Sequence, residues 1–220
     1  MNQEWMKILR AHMGEFVKGR GFKRSGAGRV SIEDQLTELS ACSVRLPPGV
    51  SIEDLFLFNG REEMESKPYG PLIEALAYSD ETDFAAFCDR LWMCDYECIE
   101  DHGAYDQVLN RLQLLSDQRL PIASVRDYVD IEEDKAWIEF TLYGSNLHWD
   151  LEVQDDWMDP SIVVRFDELL KAHTDLRIYS NHTDYGQSAL FACFTAPEFA
   201  RFDSLSMVRL RSIAEQAMSS

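Results

Sequence analysis

Residues 136–153 read Ala-Trp-Ile-Glu-Phe-Thr-Leu-Tyr-Gly-Ser-Asn-Leu-His-Trp-Asp-Leu-Glu-Val, and their alternation decides the fold class. Ile138, Phe140 and Leu142 alternate with Trp137, Glu139, Thr141 and Tyr143. Leu147, Trp149, Leu151 and Val153 alternate with His148, Asp150 and Glu152. A period of two puts each apolar set on one strand face, so the stretch predicts a β-hairpin. Gly144-Ser145 suits a two-residue turn with glycine first. That turn sets Glu139 opposite Asp150 and Thr141 opposite His148. A four-residue turn keeps the same faces and sets Glu139 opposite Glu152. Either register places two acids across the sheet, a destabilising arrangement. Arg126 on the preceding strand, a bound cation or a basic protein partner would relieve it.

The acidic character continues on both sides of the hairpin. Asp127, Asp130, Glu132, Glu133 and Asp134 precede it, and Asp155, Asp156, Trp157 and Asp159 follow it. In an antiparallel meander of 122–129, 136–143 and 147–153 the two acidic loops emerge at the same end. Trp157, an aromatic among acids, is either an interface anchor or a cover for the core edge.

Further along, Asp159-Pro160 signals a helix start, with Asp as N-cap and Pro at the first helical position. Val163, Phe166, Leu169, Leu170 and His173 form its stripe. Strands follow at 176–180 and 188–194. Thr195-Ala-Pro-Glu198 has the form of a capping box, and a terminal helix is expected over 204–217. Toward the N-terminus, helices are expected over 3–18, 71–78, 83–101 and 105–116, the last two forming a hairpin joined at Gly103. Ser-Ile-Glu-Asp at 31–34 and again at 51–54 resembles a helix start, although Leu39–Leu46 looks strand-like. Pro47-Pro48-Gly49 marks a turn. The resulting order, β-β-β-α-β-β-α after a helical segment inserted around 71–116, predicts an α+β fold. Its sheet is mixed or antiparallel with helices on one face. The whole chain, 1–220, reads as one unit, with a possible sub-boundary near 79–120.

The chain has 220 residues, 45% apolar and 27% charged, enough to bury a core without metals or disulfides. Its 39 acidic and 21 basic residues give a net charge of −18. Residues 80–160 carry 21 acids against 5 bases, whereas residues 1–30 carry 2 against 7. The acidic block repels nucleic-acid phosphate and attracts a basic partner. No apolar run approaches membrane-spanning length, so no membrane partner is expected. Met1-Asn2-Gln3-Glu4-Trp5 lacks the marks of a signal peptide. Five cysteines, an odd number without framework spacing, suit a reduced, cytoplasmic protein.

Several side-chain constellations bear on chemistry. Cys94, Cys98 and His102, with Cys88 earlier, would share one face of the expected helix and could ligate zinc, though helix packing accounts for them as well. Glu133-Asp134-Lys135 matches half of a nuclease site but falls in a turn. His148, Asp150 and Glu152 on one strand face could ligate a metal or support acid–base work. His182 and Asp184 fall in an expected turn. No nucleophile, phosphate-loop, dinucleotide or EF-hand motif is present. No cofactor, no metal and no enzymatic activity are therefore expected.

Gly21-Phe22-Lys23-Arg24-Ser25-Gly26, preceded by a short amphipathic helix and followed by an expected β-hairpin, resembles the start of small bacterial immunity proteins encoded with secreted polymorphic toxins. The resemblance covers residues 5–45. It implies a cytoplasmic protein that binds one toxin and blocks it without catalysis. Joined to the acidic patterning, it points to occlusion of a basic toxin domain by the acids at 127–134 and 150–159. The alternatives are a metal-dependent hydrolase built on His148, Asp150 and Glu152, or an acidic nucleic-acid mimic acting as a regulator.

Overall fold

The computed structural model describes residues 28–56, 59–78, 87–181, 187–205 and 208–214. The expected helix over 3–18, the Gly21–Gly26 motif and the His182/Asp184 turn lie outside them. The fold is α+β, with two antiparallel sheets.

The N-terminal part is helical: α1 (Ile32–Ser40), a 3₁₀ turn (Glu53–Leu55), α2 (Arg61–Ser66) and α3 (Gly70–Ala77). Ser31 caps α1, its Oγ accepting the Asp34 amide at 3.1 Å. At the second Ser-Ile-Glu-Asp the roles reverse. The Ser51 amide and hydroxyl both donate to the Asp54 carboxylate, and only a three-residue turn forms. The strand-like reading of 39–46 is corrected: α1 runs to Ser40 and the chain turns through Ser43, with φ of 62°. Cys42 and Val44 are buried there without strand pairing.

Within the described part of the expected helix over 83–101, residues 87–101, the chain forms β1 (Leu91–Asp95) instead, so the helical segment around 71–116 is interrupted by a strand. Leu91 belongs to one hydrophobic core while Trp92 and Cys94 belong to the other. A strand buried on both faces has no polar side, and its continuous apolar run mimics a buried helix. α4 (Ala104–Leu115) follows as expected, burying Tyr105, Val108, Leu109, Leu112 and Leu115.

Next come β2 (Ile122–Asp130), β3 (Lys135–Leu142) and β4 (Ser145–Leu151), which form a three-stranded meander. α5 (Ser161–His173), β5 (Leu176–Asn181), β6 (Ser188–Thr195), α6 (Ala196–Leu205) and β7 (Arg211–Ser212) complete the order. The capping box forms at α6: the Thr195 amide donates to Glu198 at 2.8 Å, and the Glu198 amide returns to Thr195 Oγ1 at 3.4 Å. The helix it starts is α6, not one at 204–217; residues 211–212 are a strand.

The second sheet has the order β1-β6-β5-β7, antiparallel throughout. Central β6 is buried along almost its whole length. Ala189, Phe191 and Cys193 enter a core with α4, α5 and the meander. Leu190, Ala192 and Phe194 enter a second core with α1, α3 and Phe202 of α6. Helices therefore cover both faces of this sheet, correcting the expectation of one. Among the described residues, no helix is long and apolar enough to cross a membrane.

Candidate protein-binding face

The meander turns its apolar side to the core and its other side to solvent. Val129, Ala136, Ile138, Phe140, Leu142 and Leu151 point inward. The β3–β4 turn is Tyr143-Gly144, with φ of 50° and 79°. Positive φ at both central residues defines the type I′ turn that matches strand twist. This overturns both expected registers while keeping the faces. Glu139 stands opposite His148, not Asp150 or Glu152, and Thr141 stands opposite Asn146.

A bulge in β2 sets the third strand. Between the pairs Ala123–Thr141 and Arg126–Glu139, β2 has one residue more than β3. Ser124 there has φ of 55°. The extra residue sends Val125 toward the core and Arg126 outward beside Glu139.

Outward side chains therefore form cross-strand rows. In one, Arg126 Nη2 donates to Glu139 Oε2 at 2.8 Å, and Glu139 Oε1 lies 3.0 Å from His148 Nδ1. His148 Nε2 lies 3.1 Å from Asp150. Hydrogen bonds to Asp150 and then Glu139 hold the imidazole pKa above its ordinary 6.5. The acid pair expected across the sheet is thus an acid between two bases, with Arg126 supplying the compensation.

The neighbouring row is aromatic. Tyr128 and Trp137 are cross-strand partners whose rings stack at 5.9 Å and 8°. His148 packs on Trp137 at 5.6 Å, and His102 meets Tyr128 edge-on at 4.7 Å. Lys135 Nζ sits 5.5 Å above the Tyr128 ring. The Tyr128 hydroxyl donates to Asp130 at 3.1 Å, which raises the phenol pKa. Tyr128 and Trp137 are not among the sequence candidates, and His102 is there only as a zinc-ligand candidate beside Cys94 and Cys98. Trp137 carried a signal, being a large aromatic out of phase with Ile138, Phe140 and Leu142.

The expected acidic residues separate into two groups. Asp127 does not face solvent with the others. Its carboxylate accepts the amides of Gly103, Tyr105 and Asp106 at the start of α4. The bulge shifts its phase to the inner side. Asp159 likewise serves folding, accepting from Glu152 N, Ser161 N and Ser161 Oγ at 2.8 Å each. Asp130 accepts the Glu133 amide in the turn. Glu132, Glu133, Asp134, Asp150, Glu152 and Asp155 are exposed, Asp150 by 91%. Asp156 is half-buried, its carbonyl accepting the Ile99 amide. Trp157 is 39% exposed and bridges both Glu97 and Gln154. The two acidic loops do share one end of the meander, next to the Asp130–Lys135 and Ala136–Leu151 pairs.

Cys94, Cys98 and His102 do not share a helix face. Cys94 is in β1, Cys98 lies beyond it, and His102 pairs with Asp101 on the surface. All five cysteines are free thiols. Glu152 accepts from Gln154 rather than joining His148 and Asp150. Among the described residues, no group of three or more His, Cys, Asp or Glu side chains is placed to hold a metal ion. Comparison with protein-family models, with curated proteins and with solved structures gave no match to this chain.

Proposed function

We propose that the protein is a cytoplasmic immunity protein that docks a basic toxin domain on the solvent face of the meander and occludes its substrate-binding surface. The observation that carries this reading is the stacked Tyr128–Trp137 pair on an outward strand face, set among carboxylates. Aromatic side chains with polar rims are the usual energetic centres of protein interfaces. Glu132, Glu133, Asp134, Asp150, Glu152 and Asp155 supply the field that draws a basic partner in. Glu139 and Trp157 extend the same surface. The protein performs no chemistry of its own in this role.

Paired captures from the native host at low salt test the reading. One uses the wild-type chain and the other the Tyr128→Ala/Trp137→Ala variant. A single basic protein, held by the wild type, lost from the variant and released by salt, is the expected result. The same set of proteins on both baits would overturn it.

A further inference from the structure

A cleft of about 390 Å³ lies away from the meander face, between the turn after α1, the chain entering β1, the end of α4 and the start of α6. None of the acids assigned to the docking face lines it. Its volume falls in the range of small-molecule sites.

In a chain of net charge −18, three arginines line this cleft, Arg45, Arg90 and Arg119. Arg90 is only 12% exposed. Its Nη2 reaches Glu198 at 3.3 Å, while its buried Nε has no acceptor among the described residues. Glu198 is otherwise occupied by the Ser43 hydroxyl and by the Thr195 amide and hydroxyl. A fourth arginine backs the wall. Arg111, 1% exposed, donates to the carbonyls of Cys88, Asp89 and Leu91, and no carboxylate pairs with it among the described residues.

The two arginines at the mouth are exposed and weakly engaged. Arg119 approaches Asp175 only to 3.8 Å, and Arg45 reaches the Ser40 carbonyl at 3.5 Å. Asp89 and Asp117 stand exposed at the same lip, so charge alone does not define the occupant. Ser43 and Thr195 add hydroxyls, and the apolar part of the lining comes from Leu46, Leu114 and Leu176 with Pro47 and Pro48. Planar guanidinium forks match the two oxygens of a carboxylate or phosphate, and an apolar wall favours a ligand with a hydrocarbon body.

We propose that this cleft binds a small organic anion, a carboxylate or phosphate on an apolar body. Arg45 and Arg119 grip the anion, and Leu46, Leu114 and Leu176 cover the body.

Calorimetric titration of the full chain at fixed ionic strength tests this with phenyl phosphate, benzoate and inorganic phosphate. The proposal expects one saturable site for phenyl phosphate or benzoate, the tighter of the two identifying the anion. Inorganic phosphate, without the body, binds about tenfold or more weaker. Arg45→Ala/Arg119→Ala weakens the organic anion about tenfold or more while thermal unfolding stays cooperative. The Arg45→Lys/Arg119→Lys variant, which keeps charge but not the fork, falls between. No saturation by either organic anion overturns the proposal. So does binding that survives the double alanine variant, or inorganic phosphate binding as tightly as phenyl phosphate, the mark of an adventitious ion only.

Discussion

Gly103 and Asp127 are joined across the boundary between α4 and β2: the Gly103 amide donates to both carboxylate oxygens of Asp127, at 2.8 and 2.9 Å. Gly103 sits at φ of 94° as the N-cap of α4, and no side chain of its own can cap the helix. Asp127 supplies the cap from another element, and it also takes the Tyr105 amide at 2.9 Å. A carboxylate at a helix N-terminus is favoured by both the free amides and the dipole. One side chain therefore starts a helix and fixes that helix to the sheet.

Replacing Asp127 with alanine leaves those amides without their acceptor. The expected loss is about 1–2 kcal/mol. Urea denaturation followed by circular dichroism measures it, and Asp127→Asn should recover part of the loss. An unchanged midpoint in Asp127→Ala would show that water replaces the cap at no cost.

His148 should titrate above 6.5, because Asp150 and Glu139 both favour its protonated form. The folded pKa is raised, so the stabilisation is fully present below the unfolded value. It is lost as pH climbs through the folded value. Asp150→Asn lowers the His148 pKa more than Glu139→Gln does, following the order of the two hydrogen bonds. NMR titration of the imidazole protons in the three proteins reads this order directly.

Trp137→Ala separates binding from folding. The side chain lies on the outward face, so stability falls by about 1 kcal/mol from the lost Tyr128 stack. Affinity for a basic partner docked there falls by about 2 kcal/mol or more. Neutralising Glu132, Glu133 and Asp134 together instead lowers the association rate and flattens its salt dependence. Stopped-flow measurement at several salt concentrations distinguishes these effects.

Arg111 is a buried cation whose Nη1 and Nη2 donate to three carbonyls while its Nε has no acceptor among the described residues, and burial lowers its pKa to about 10, so it remains charged at neutral pH. Arg111→Ala removes the donors and opens a void, at a cost of about 3 kcal/mol or more. Arg111→Met fills the space and should cost less. Comparing the two thermal midpoints separates packing from carbonyl satisfaction.

Thiol labelling should single out Cys98. Cys42, Cys88, Cys94 and Cys193 are buried, and burial pushes each of their thiols up, Cys193 to about 12. With an aromatic disulfide reagent under native conditions, one equivalent reacts fast and four react only on unfolding. Cys98→Ser abolishes the fast phase.

What the sequence disclosed followed from local chemistry. Strand alternation, the Thr195–Glu198 box and the stripe of α4 all act within a few residues, and each was legible. The failures have a common cause in longer-range packing. β1 was read as helix because both of its faces are covered, one by each core. The hairpin register slipped by two because Tyr143 takes a positive φ that its residue type disfavours, making Gly144-Ser145 the more natural turn on paper. Asp127 joins the surface acids on charge alone, because no residue pattern marks the bulge at Ser124 that turns it inward. The ring row is hidden for the same reason, since Tyr128 joins Trp137 only through that shift.

The extra residue in β2 works like a frame change in a reading. Upstream of it Ile122 faces the core and Ala123 faces water; downstream, odd-numbered Asp127 and Val129 face inward and even-numbered Arg126 and Tyr128 face outward. Deleting Ser124 would only flatten the bulge, because Val125 would then stand opposite Phe140 and Arg126 would stay opposite Glu139. A slip that seated Ser124 in the ladder opposite Phe140 would instead transpose Arg126 and Tyr128 to the inside and carry Asp127 away from the helix it starts. The identity of this surface is thus encoded in where one strand sets aside its extra residue as much as in the residues that line it.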